Sequence, residues 1–418
     1  MPISELLQLV CACLGLLLAV CNCYRSLYLV LPLFLKQKPY GPEKENRYAV
    51  LIAARNESAV LPHLLDSIQQ QDYPYITTYV VADNCTDQTA ELARKKGAHV
   101  FERFNKEQVG KGYALHYLLE QIRQAGELEQ YDAFLIFDAD NLLPRDYIRN
   151  MNRVCSDGYE AFTGCRNSKN YGVNWLSAGY ALWYLHDSLH LNQSRMLLGV
   201  SCAVTGTGFG FTRALLEKMG GNWNFFTLTE DIEFSTWCAT RGVRIGYCPE
   251  AMLYDEQPVS FSQSWRQRTR WMQGGIQIGP KYLKDMLRGM LEGGRTGYSS
   301  LETATLSLWG WSLAVVVWLL GMVSAFLSNS WDGVRTMLLT TFLLSYGTLL
   351  LTGALAVYLG WNKIRATKGQ KIGYLFTFPL FMMTYVPIAI SAFFRKFQWK
   401  PIVHTFAMSS DDMTKPVA

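Results

Sequence analysis

Long apolar stretches lie on both sides of a central segment of mixed composition. Residues 6–35 form the first stretch, and residues 306–327, 336–360 and 373–394 form three more. Each of them approaches the roughly 20 residues that a helix needs to cross a bilayer. Residues 48–300, between the stretches, have the composition of a soluble domain. The pattern therefore predicts an integral membrane protein that carries a soluble domain between its spanning helices.

The first apolar stretch is longer than a cleaved signal peptide requires. A signal peptide has an apolar run of about 7 to 15 residues after a basic start. The run here is longer and begins after Glu5, so we interpret it as a retained helix. The predicted organisation is an N-terminal transmembrane helix, a soluble domain, interfacial helices, C-terminal transmembrane helices and a tail, at residues 1–40, 48–260, 261–300, 301–396 and 397–418.

Basic residues beside the apolar stretches indicate how the chain is oriented. One cluster follows the first stretch and another lies between the third and the fourth. Because basic loops tend to stay on the cytoplasmic side, we expect the soluble domain in the cytoplasm and the protein in the plasma membrane. The members of the two clusters are Lys36, Lys38, Lys44, Arg47, Lys363, Arg365, Lys368 and Lys371.

The fourth apolar stretch is compatible with two arrangements. A complete crossing would place Arg395, Lys396 and Lys400 outside the cell, against the same tendency. Pro379 and Pro387 would instead permit a broken or re-entrant segment, because neighbouring protein can satisfy the backbone groups that a break exposes. The side of the membrane on which the tail lies stays open.

Charge and cysteine usage exclude several classes of function. The net charge of +5 over 418 residues is modest, and there is no block of Lys and Arg of the kind that indicates binding to nucleic acid. None of the ten Cys residues lies in a C-x-x-C pair. A zinc site or a disulfide framework is therefore disfavoured.

Three segments of the soluble domain repeat one pattern. Each has an apolar run short enough for a buried strand, then a polar turn, then apolar residues at helical spacing. The segments are YAVLIAARNESAVLPHLLDSI, ITTYVVADNCTDQTAELARKKG and YDAFLIFDADNLLPRDYIRNM. Strands and helices in alternation predict an α/β domain with a mostly parallel sheet. Ligands bind at the carboxyl ends of such strands, where this chain has Asn56, Glu57, Asp83, Asn84, Asp138 and Asp140.

Carboxylates take the place of a glycine-rich phosphate loop at these strand ends. The turn AARNES contains neither G-x-G-x-x-G nor G-K-[ST], which disfavours a dinucleotide fold and a P-loop. Asp138 and Asp140 end the run FLIFDADN. Because alternate residues of a strand share one face, we expect both carboxylates on the same side, where they would suit Mg²⁺ or Mn²⁺. The alternative interpretation of the two acids is a solvated turn.

Two later motifs each allow a structural and a functional interpretation. The T-E-D motif places Glu230 and Asp231 before an amphipathic run. Acids at a helix start can simply complement the helix dipole, or Asp231 can act as a general base. Gln267, Arg270 and Trp271 lie in the run SFSQSWRQRTRWMQGG. This run is typical of an interfacial helix, or of a site where Arg270 binds a diphosphate and Trp271 stacks on a sugar.

Together the motifs resemble the membrane-integrated family 2 glycosyltransferases, which include cellulose, hyaluronan, chitin, poly-N-acetylglucosamine and mixed-linkage β-glucan synthases. The resemblance spans residues 48–272 and rests on AARNE, ADNCTD, GK, DAD, TGTGF, TED and QRTRW in this order. It implies a GT-A-type, Rossmann-like domain with interfacial amphipathic helices and transmembrane helices at both ends. The chain departs from the pattern at Asn84 and Cys85, where many members have a second acid and a glycine.

The resemblance also implies a role for each motif residue. Asp231 would be the catalytic base. Asp138 and Asp140 would be the ligands of a Mg²⁺ or Mn²⁺ ion. The donor would be bound by Asn56, Glu57, Asp83, Lys111, Asp138 and Arg270, and the acceptor by Gln267, Trp271 and Glu230.

The implied reaction is the inverting, metal-dependent transfer of a sugar to the end of a growing β-linked polysaccharide, coupled to export across the membrane. The implied partners are a UDP-sugar, with UDP-glucose favoured by overall likeness, a polysaccharide acceptor and membrane lipid; the sugar, the linkage and any accessory subunits stay open. One alternative is a non-processive transferase with a lipid acceptor. Another is an inactive carbohydrate-binding or transport subunit, against which the retained Asp138, Asp140 and Asp231 count.

Overall fold

The computed structural model describes residues 3–327, 331–394 and Met408. Two of the predicted features lie outside this range. They are the tail at residues 397–418, apart from Met408, and the basic residues Arg395 and Lys396 before it.

The soluble domain is built on one seven-stranded sheet with the strand order β3-β2-β1-β4-β6-β5-β7. The strands are β1 Tyr48–Ala54, β2 Ile76–Asp83, β3 His99–Arg103, β4 Ala133–Asp138, β5 Ala161–Ser168, β6 Phe209–Thr212 and β7 Ile245–Asp255. Strands β3, β2, β1 and β4 run parallel, as do β5 and β7, whereas β6 is antiparallel to both β4 and β5. The predicted α/β domain with a mostly parallel sheet is therefore confirmed.

Fifteen α-helices accompany the sheet within the described residues. Those of the soluble domain are α2 Leu61–Gln69, α3 Thr89–Lys95, α4 Lys111–Gln124, α5 Tyr147–Ser156, α6 Trp175–His186, α7 Gln193–Leu198, α8 Arg213–Lys218 and α9 Glu230–Thr240. The others are α1 Ile3–Phe34, α10 Phe261–Glu292, α11 Gly294–Leu306, α12 Leu308–Leu327, α13 Trp331–Gly360, α14 Lys368–Met383 and α15 Tyr385–Phe394. A 3₁₀ turn, Leu128–Gln130, precedes β4, and a π-helical turn, Asp187–Asn192, joins α6 to α7.

The helices bury one apolar face each against the sheet. Leu115, Leu118 and Ile122 of α4 follow helical spacing and are fully buried in one core. Leu61 and Leu64 of α2 are buried in the core on the opposite side of the sheet. The sheet is thus covered on both faces, which is why its parallel strands are nearly continuous apolar runs.

Three helices of the described chain are long and apolar enough to cross a membrane: Glu5–Phe34, Trp331–Gly360 and Lys368–Phe394. Ser312–Leu327 is a shorter apolar helix. The third long helix is interrupted at Thr384, where α14 ends and α15 begins. The interruption lies between the two prolines that the sequence analysis associates with a broken segment.

The soluble domain packs directly on the C-terminal apolar helices through α6. Gly179 of α6 lies against the ring of Phe381 on α14, and a Cβ atom at position 179 would be 2.4 Å from that ring. Arg268 of α10 closes the same contact, because its guanidinium donates to the carbonyl oxygen of Phe381 at 3.2 Å and to the hydroxyl of Thr384 at 2.6 Å. The absence of a side chain at Gly179 therefore allows the two parts to meet.

We expect Gly179→Ala to lower the thermal unfolding midpoint of the detergent-solubilised protein, because overpacking at a close contact costs about 1–3 kcal/mol. Gly275→Ala in α10 is the matched control, since nothing lies within 4 Å of a Cβ atom there. This control should be neutral or stabilising by about 0.5–1 kcal/mol. Equal midpoints for Gly179→Ala and the wild type would contradict the close contact between α6 and α14.

Candidate active site

The turns after β1 and β2 both depend on an asparagine in the left-handed backbone region. Asn56 has φ 57° and Asn84 has φ 53°, a conformation that asparagine tolerates better than most residues. The side-chain oxygen of Asn56 accepts from the backbone N–H of Thr86 at 2.8 Å. This bond joins the two strand ends into one rim, next to which the backbone N–H of Glu57 donates to Thr89 Oγ1 at 2.9 Å.

Asp83, at the end of β2, lies in a buried ion pair. Arg103 Nη1 donates to Asp83 Oδ1 at 2.7 Å, and Nη2 donates to the carbonyl oxygen of Gln108 at 2.8 Å. Arg103 ends β3, which no motif marks, so the sequence analysis did not single it out. A ligand at Asp83 would therefore meet a carboxylate that already has a partner.

Lys111 connects the end of β4 to the segment before β6. Its ammonium group donates to Asp138 Oδ1 at 2.5 Å and to the carbonyl oxygen of Gly206 at 2.7 Å. Gly110, with φ 138°, immediately precedes α4 and lets the chain turn so that Lys111 begins the helix. The side chain of Asp138 keeps 36% exposure and faces the cleft.

Asp140 differs from the arrangement expected of it. Strand β4 ends at Asp138, and Asp140 lies in the turn that follows, so strand alternation does not orient the two carboxylates. The turn sets the position of Asp140, whose Oδ2 accepts from the backbone N–H of Glu256 at 3.0 Å. The buried Lys169 donates to the carbonyl oxygen of Asp140 at 2.5 Å. The expectation of a shared strand face is thus wrong, although both acids border the same end of the sheet.

Asp138 is partly exposed and Asp140 is buried, and both offer the hard oxygen donors that suit Mg²⁺ or Mn²⁺. Within the two long described ranges, no three His, Cys, Asp or Glu side chains form a complete metal site. Asp138 and Asp140 would therefore hold a cation only together with oxygen atoms of a ligand. A diphosphate supplies such atoms.

Arg166 on β5 is a largely buried cation, 11% exposed, that the sequence analysis missed. Its Nε donates to Asp255 Oδ2 at 2.7 Å, and its Nη1 donates to the carbonyl oxygen of Thr205. The guanidinium also lies 3.7 Å from the ring centre of Tyr184. Burial raises the pKa of Asp255 to about 6, which the charge of Arg166 opposes and that of Asp140 supports. No local motif marks Arg166, since its partners are distant in the chain.

Glu230 and Asp231 form the opposite wall of the cleft at the start of α9. Burial raises the pKa of Glu230 to about 7; the charge of Asp231 adds to this rise, and Lys111 and Arg270 oppose it. Burial also raises the pKa of Asp231, again opposed by both cations. A Cβ atom on Gly206 would lie 3.9 Å from Asp231 Oδ2. Asp231 therefore faces the same glycine whose carbonyl oxygen holds Lys111.

Helix α10 carries the remaining motif residues, of which Arg270 reaches the loop before α9 and Trp271 packs on α6. Arg270 Nη1 donates to the carbonyl oxygen of Leu228 at 2.6 Å. The ring of Trp271 meets Tyr180 edge to face at 5.8 Å between ring centres, and Tyr184 at 6.5 Å. The side-chain oxygen of Gln267 is buried and has no hydrogen-bond partner among the described residues. A buried oxygen atom without a partner is uncommon in a native structure.

Glu233 is held by structural contacts alone. It is fully buried and bound by Lys281, by the hydroxyl of Tyr282 at 3.1 Å and by the backbone N–H of Thr227 at 2.9 Å. These contacts fasten α9 to α10, so Glu233 anchors the wall on which Asp231 lies.

The sequence matches a known family over the part of the chain that builds this cleft. A family model described as "Glycosyltransferase like family 2" matches residues 45–274. Beta-monoglucosyldiacylglycerol synthase of Synechocystis is 27% identical over 236 residues, which are 54% of this chain and 47% of that protein. Poly-beta-1,6-N-acetyl-D-glucosamine synthase of Staphylococcus epidermidis is 26% identical over 289 residues, which are 66% of this chain and 64% of that protein. The chain thus spans between about half and two thirds of these relatives.

A solved structure shares the fold over nearly the whole chain. The mannosyltransferase from Pyrobaculum calidifontis, solved with GDP-Man and Mn²⁺, superimposes with a TM-score of 0.55 at 20% sequence identity. The superposition covers 92% of this chain and 99% of that protein. Its agreement extends from the sheet to the apolar helices.

We expect Arg166→Lys to destabilise the protein by about 1–3 kcal/mol, because a lysine has no planar fork for Asp255 and leaves buried groups without partners. Arg153→Lys is the matched control, since Arg153 pairs with Glu43 at 2.9 Å on the surface. An exposed pair contributes little, so its replacement should change stability by less than about 0.5 kcal/mol. Thermal unfolding of both variants checks this, and equal stability would contradict the importance assigned to Arg166.

Proposed function

This chain belongs to glycosyltransferase family 2, and we propose that it transfers a sugar from a UDP-sugar to the end of a growing β-linked polysaccharide with inversion at the anomeric carbon. One observation carries the proposal: Lys111, which binds Asp138, donates to the carbonyl oxygen of Gly206, and the carboxylate of Asp231 lies next to the same glycine. A donor diphosphate beside the first pair would place its sugar next to Asp231.

The donor is proposed to lie over the carboxyl ends of β1, β2 and β4. Asn56, Glu57 and Asp83 on the rim would hold the uracil and the ribose. Lys111 and Arg270 would hold the diphosphate, since both are cations that border the cleft. Asp138 and Asp140 would bind Mg²⁺ or Mn²⁺ together with diphosphate oxygens. The metal ion supplies Lewis-acid stabilisation of the charge that develops on the leaving group.

Asp231 is proposed as the general base. Its carboxylate takes the proton of the acceptor hydroxyl as the hydroxyl oxygen forms a bond to C1 of the donor sugar. The bond from C1 to the diphosphate oxygen breaks on the opposite face, and UDP leaves with that electron pair. Lys111 and Arg270 then lie beside the new negative charge, which lowers the barrier because such fixed charges need no reorganisation.

The acceptor is proposed to approach from the side of α10. Gln267 would bind one of its hydroxyls with the buried side-chain oxygen, and Trp271 and Glu230 would contact the terminal sugar. Because α10 leads into the apolar helices, the product would leave toward the membrane for export. In this orientation the soluble domain lies in the cytoplasm, as the basic clusters favour, and the plasma membrane is the proposed location of the chain.

A lipid acceptor is the second candidate function. It is favoured by the likeness to the Synechocystis relative, which is a glycolipid synthase by name. Transfer to a lipid would use the same donor residues and the same base. An inactive carbohydrate-binding or transport subunit has less support, because Asp138, Asp140 and Asp231 all remain in place around the cleft.

Incubating the purified full chain with radiolabelled UDP-glucose or UDP-N-acetylglucosamine in the presence of Mn²⁺ tests the proposal. We expect label in a polymer that a linkage-specific β-glycosidase digests, and loss of incorporation in excess EDTA, because two carboxylates cannot hold a diphosphate without a cation. Label in an organic-soluble lipid would favour the second candidate. No incorporation, or full turnover in EDTA, would count against the proposed chemistry.

We expect Asp231→Asn to abolish transfer and to leave the Kd for UDP within about twofold of the wild type, because the base acts on the acceptor alone. Asp285→Asn is the matched control: Asp285 pairs with Arg241 at 3.0 Å on the exposed side of α10, and its loss should leave the rate unchanged. A large loss of UDP affinity in Asp231→Asn would show instead that Asp231 belongs to the donor site.

A further inference from the structure

A buried polar chain begins on the N-terminal apolar helix. Tyr28 of α1 is fully buried, and its hydroxyl donates to Glu302 Oε2 at 3.2 Å. Glu302 on α11 pairs with Arg195 on α7, since Glu302 Oε1 accepts from Arg195 Nε at 2.9 Å and from Nη2 at 2.8 Å. The side chains of this pair are 5% and 3% exposed. Three helices that are distant in sequence thus meet at one ion pair.

Asn192 carries this chain of contacts to the backbone next to the cleft. Arg195 Nη1 donates to Asn192 Oδ1 at 2.9 Å. The amide of Asn192 then holds Ala203 on both sides: Oδ1 accepts from the backbone N–H of Ala203 at 2.9 Å, and Nδ2 donates to its carbonyl oxygen at 2.9 Å. Asn192 ends the π-helical turn, a form that is rare and frequent at functional sites.

Val204, the residue after Ala203, is linked to the proposed base through the side chain of Ser235. The backbone N–H of Val204 donates to Ser235 Oγ at 2.9 Å, and the Ser235 hydroxyl donates to the carbonyl oxygen of Asp231 at 2.9 Å. The next two carbonyl groups, those of residues 205–206, accept from Arg166 and Lys111. A shift of Ala203 would therefore move Asp231 relative to the cation that binds Asp138.

This arrangement is more than an anchor for the apolar helices. A buried ion pair is weak evidence for stability, because desolvation offsets its attraction. An anchor for the apolar helices would also not require Asn192 to bind both the N–H and the carbonyl oxygen of Ala203. Ser194 supplies a plain anchor in the same region, since its hydroxyl donates to the carbonyl oxygen of Tyr28 at 2.9 Å and, among the described residues, has no hydrogen bond that leads to Ala203.

We propose that Glu302, Arg195 and Asn192 are positioning residues that set Asp231 against Lys111, and that α1 completes this positioning through the hydroxyl of Tyr28. The proposal rests on the proposed role of Asp231 as the base. Glu302 holds Arg195, Arg195 orients the amide of Asn192, and that amide fixes Ala203 and hence the two sides of the cleft. The N-terminal helix thereby acts on the reaction without contacting either substrate.

The test measures kcat, the KM for the UDP-sugar and the Kd for UDP with the full chain in lipid nanodiscs. Asn192→Ser removes both bonds to Ala203, and we expect kcat to fall about ten- to a hundredfold, because a small misplacement of a catalytic group has this effect. KM and Kd should stay within about twofold, since the donor residues are untouched. Asn192→Asp keeps the acceptor for Arg195 and Ala203 and should restore part of the rate.

Ser194→Ala is the matched control, because it removes a buried bond to α1 that does not lead to Ala203. Its kcat should equal that of the wild type even if its unfolding midpoint falls. If Asn192→Ser fails to fold, Tyr28→Phe tests the proposal instead, because it removes only one hydroxyl. We expect kcat to fall about threefold with KM and Kd unchanged, since this variant should misplace the catalytic group less than Asn192→Ser does.

Each outcome decides the matter. An unchanged kcat in folded Asn192→Ser, or in Tyr28→Phe where the former does not fold, would overturn the proposal, as would an equal fall of kcat in Ser194→Ala. A loss of UDP affinity that matches the loss of kcat would place the effect in the donor site and overturn it as well. Full activity of Asp231→Asn would instead refute the proposed base, whatever the result at Asn192.

Discussion

Two of the cations at the acidic end of the sheet are held by neighbouring carbonyl groups of one short piece of backbone. Lys111 binds Asp138 and Arg166 binds Asp255, and both also donate to carbonyl oxygens of residues 205–206. A buried carboxylate without such a partner would carry a large desolvation cost. Because both cations reach the same piece of backbone, that piece determines where positive charge lies in the cleft. The proposed binding of a diphosphate follows from this arrangement.

The same piece of backbone separates the donor side of the cleft from the wall formed by α9. Asp231 Oδ2 would lie 3.9 Å from a Cβ atom on Gly206, and Lys111, which binds Asp138, donates to the carbonyl oxygen of the same glycine. A Cβ atom at this position would lie 3.3 Å from Arg166 Nη1, and the φ of +89° there also favours glycine. Glycine at this position therefore leaves Arg166 and Asp231 their places beside the backbone.

Helix α10 contacts both the cleft and the apolar helices through two arginines that point in opposite directions. Arg270 contacts the loop before α9, whereas Arg268 packs against the rings of Phe381 and Tyr385. Residues two apart on a helix are about 200° apart around its axis, so one short motif can hold both contacts. The helix therefore couples the position of the active site to the packing of α14 and α15.

The sequence by itself determined the strands that end in acids, the apolar helices and the family motifs, because burial in a strand or a helix leaves a periodic pattern in neighbouring residues. It therefore located Asp83, Asp138 and Asp231. It did not reveal the strand order, the antiparallel β6, the turn that orients Asp140, or the partners Arg103, Arg166 and Asn192. Those depend on contacts between segments far apart in the chain, and a charge or an amide that is satisfied only by such a contact leaves no local pattern. Tertiary packing alone decided which of these groups meet.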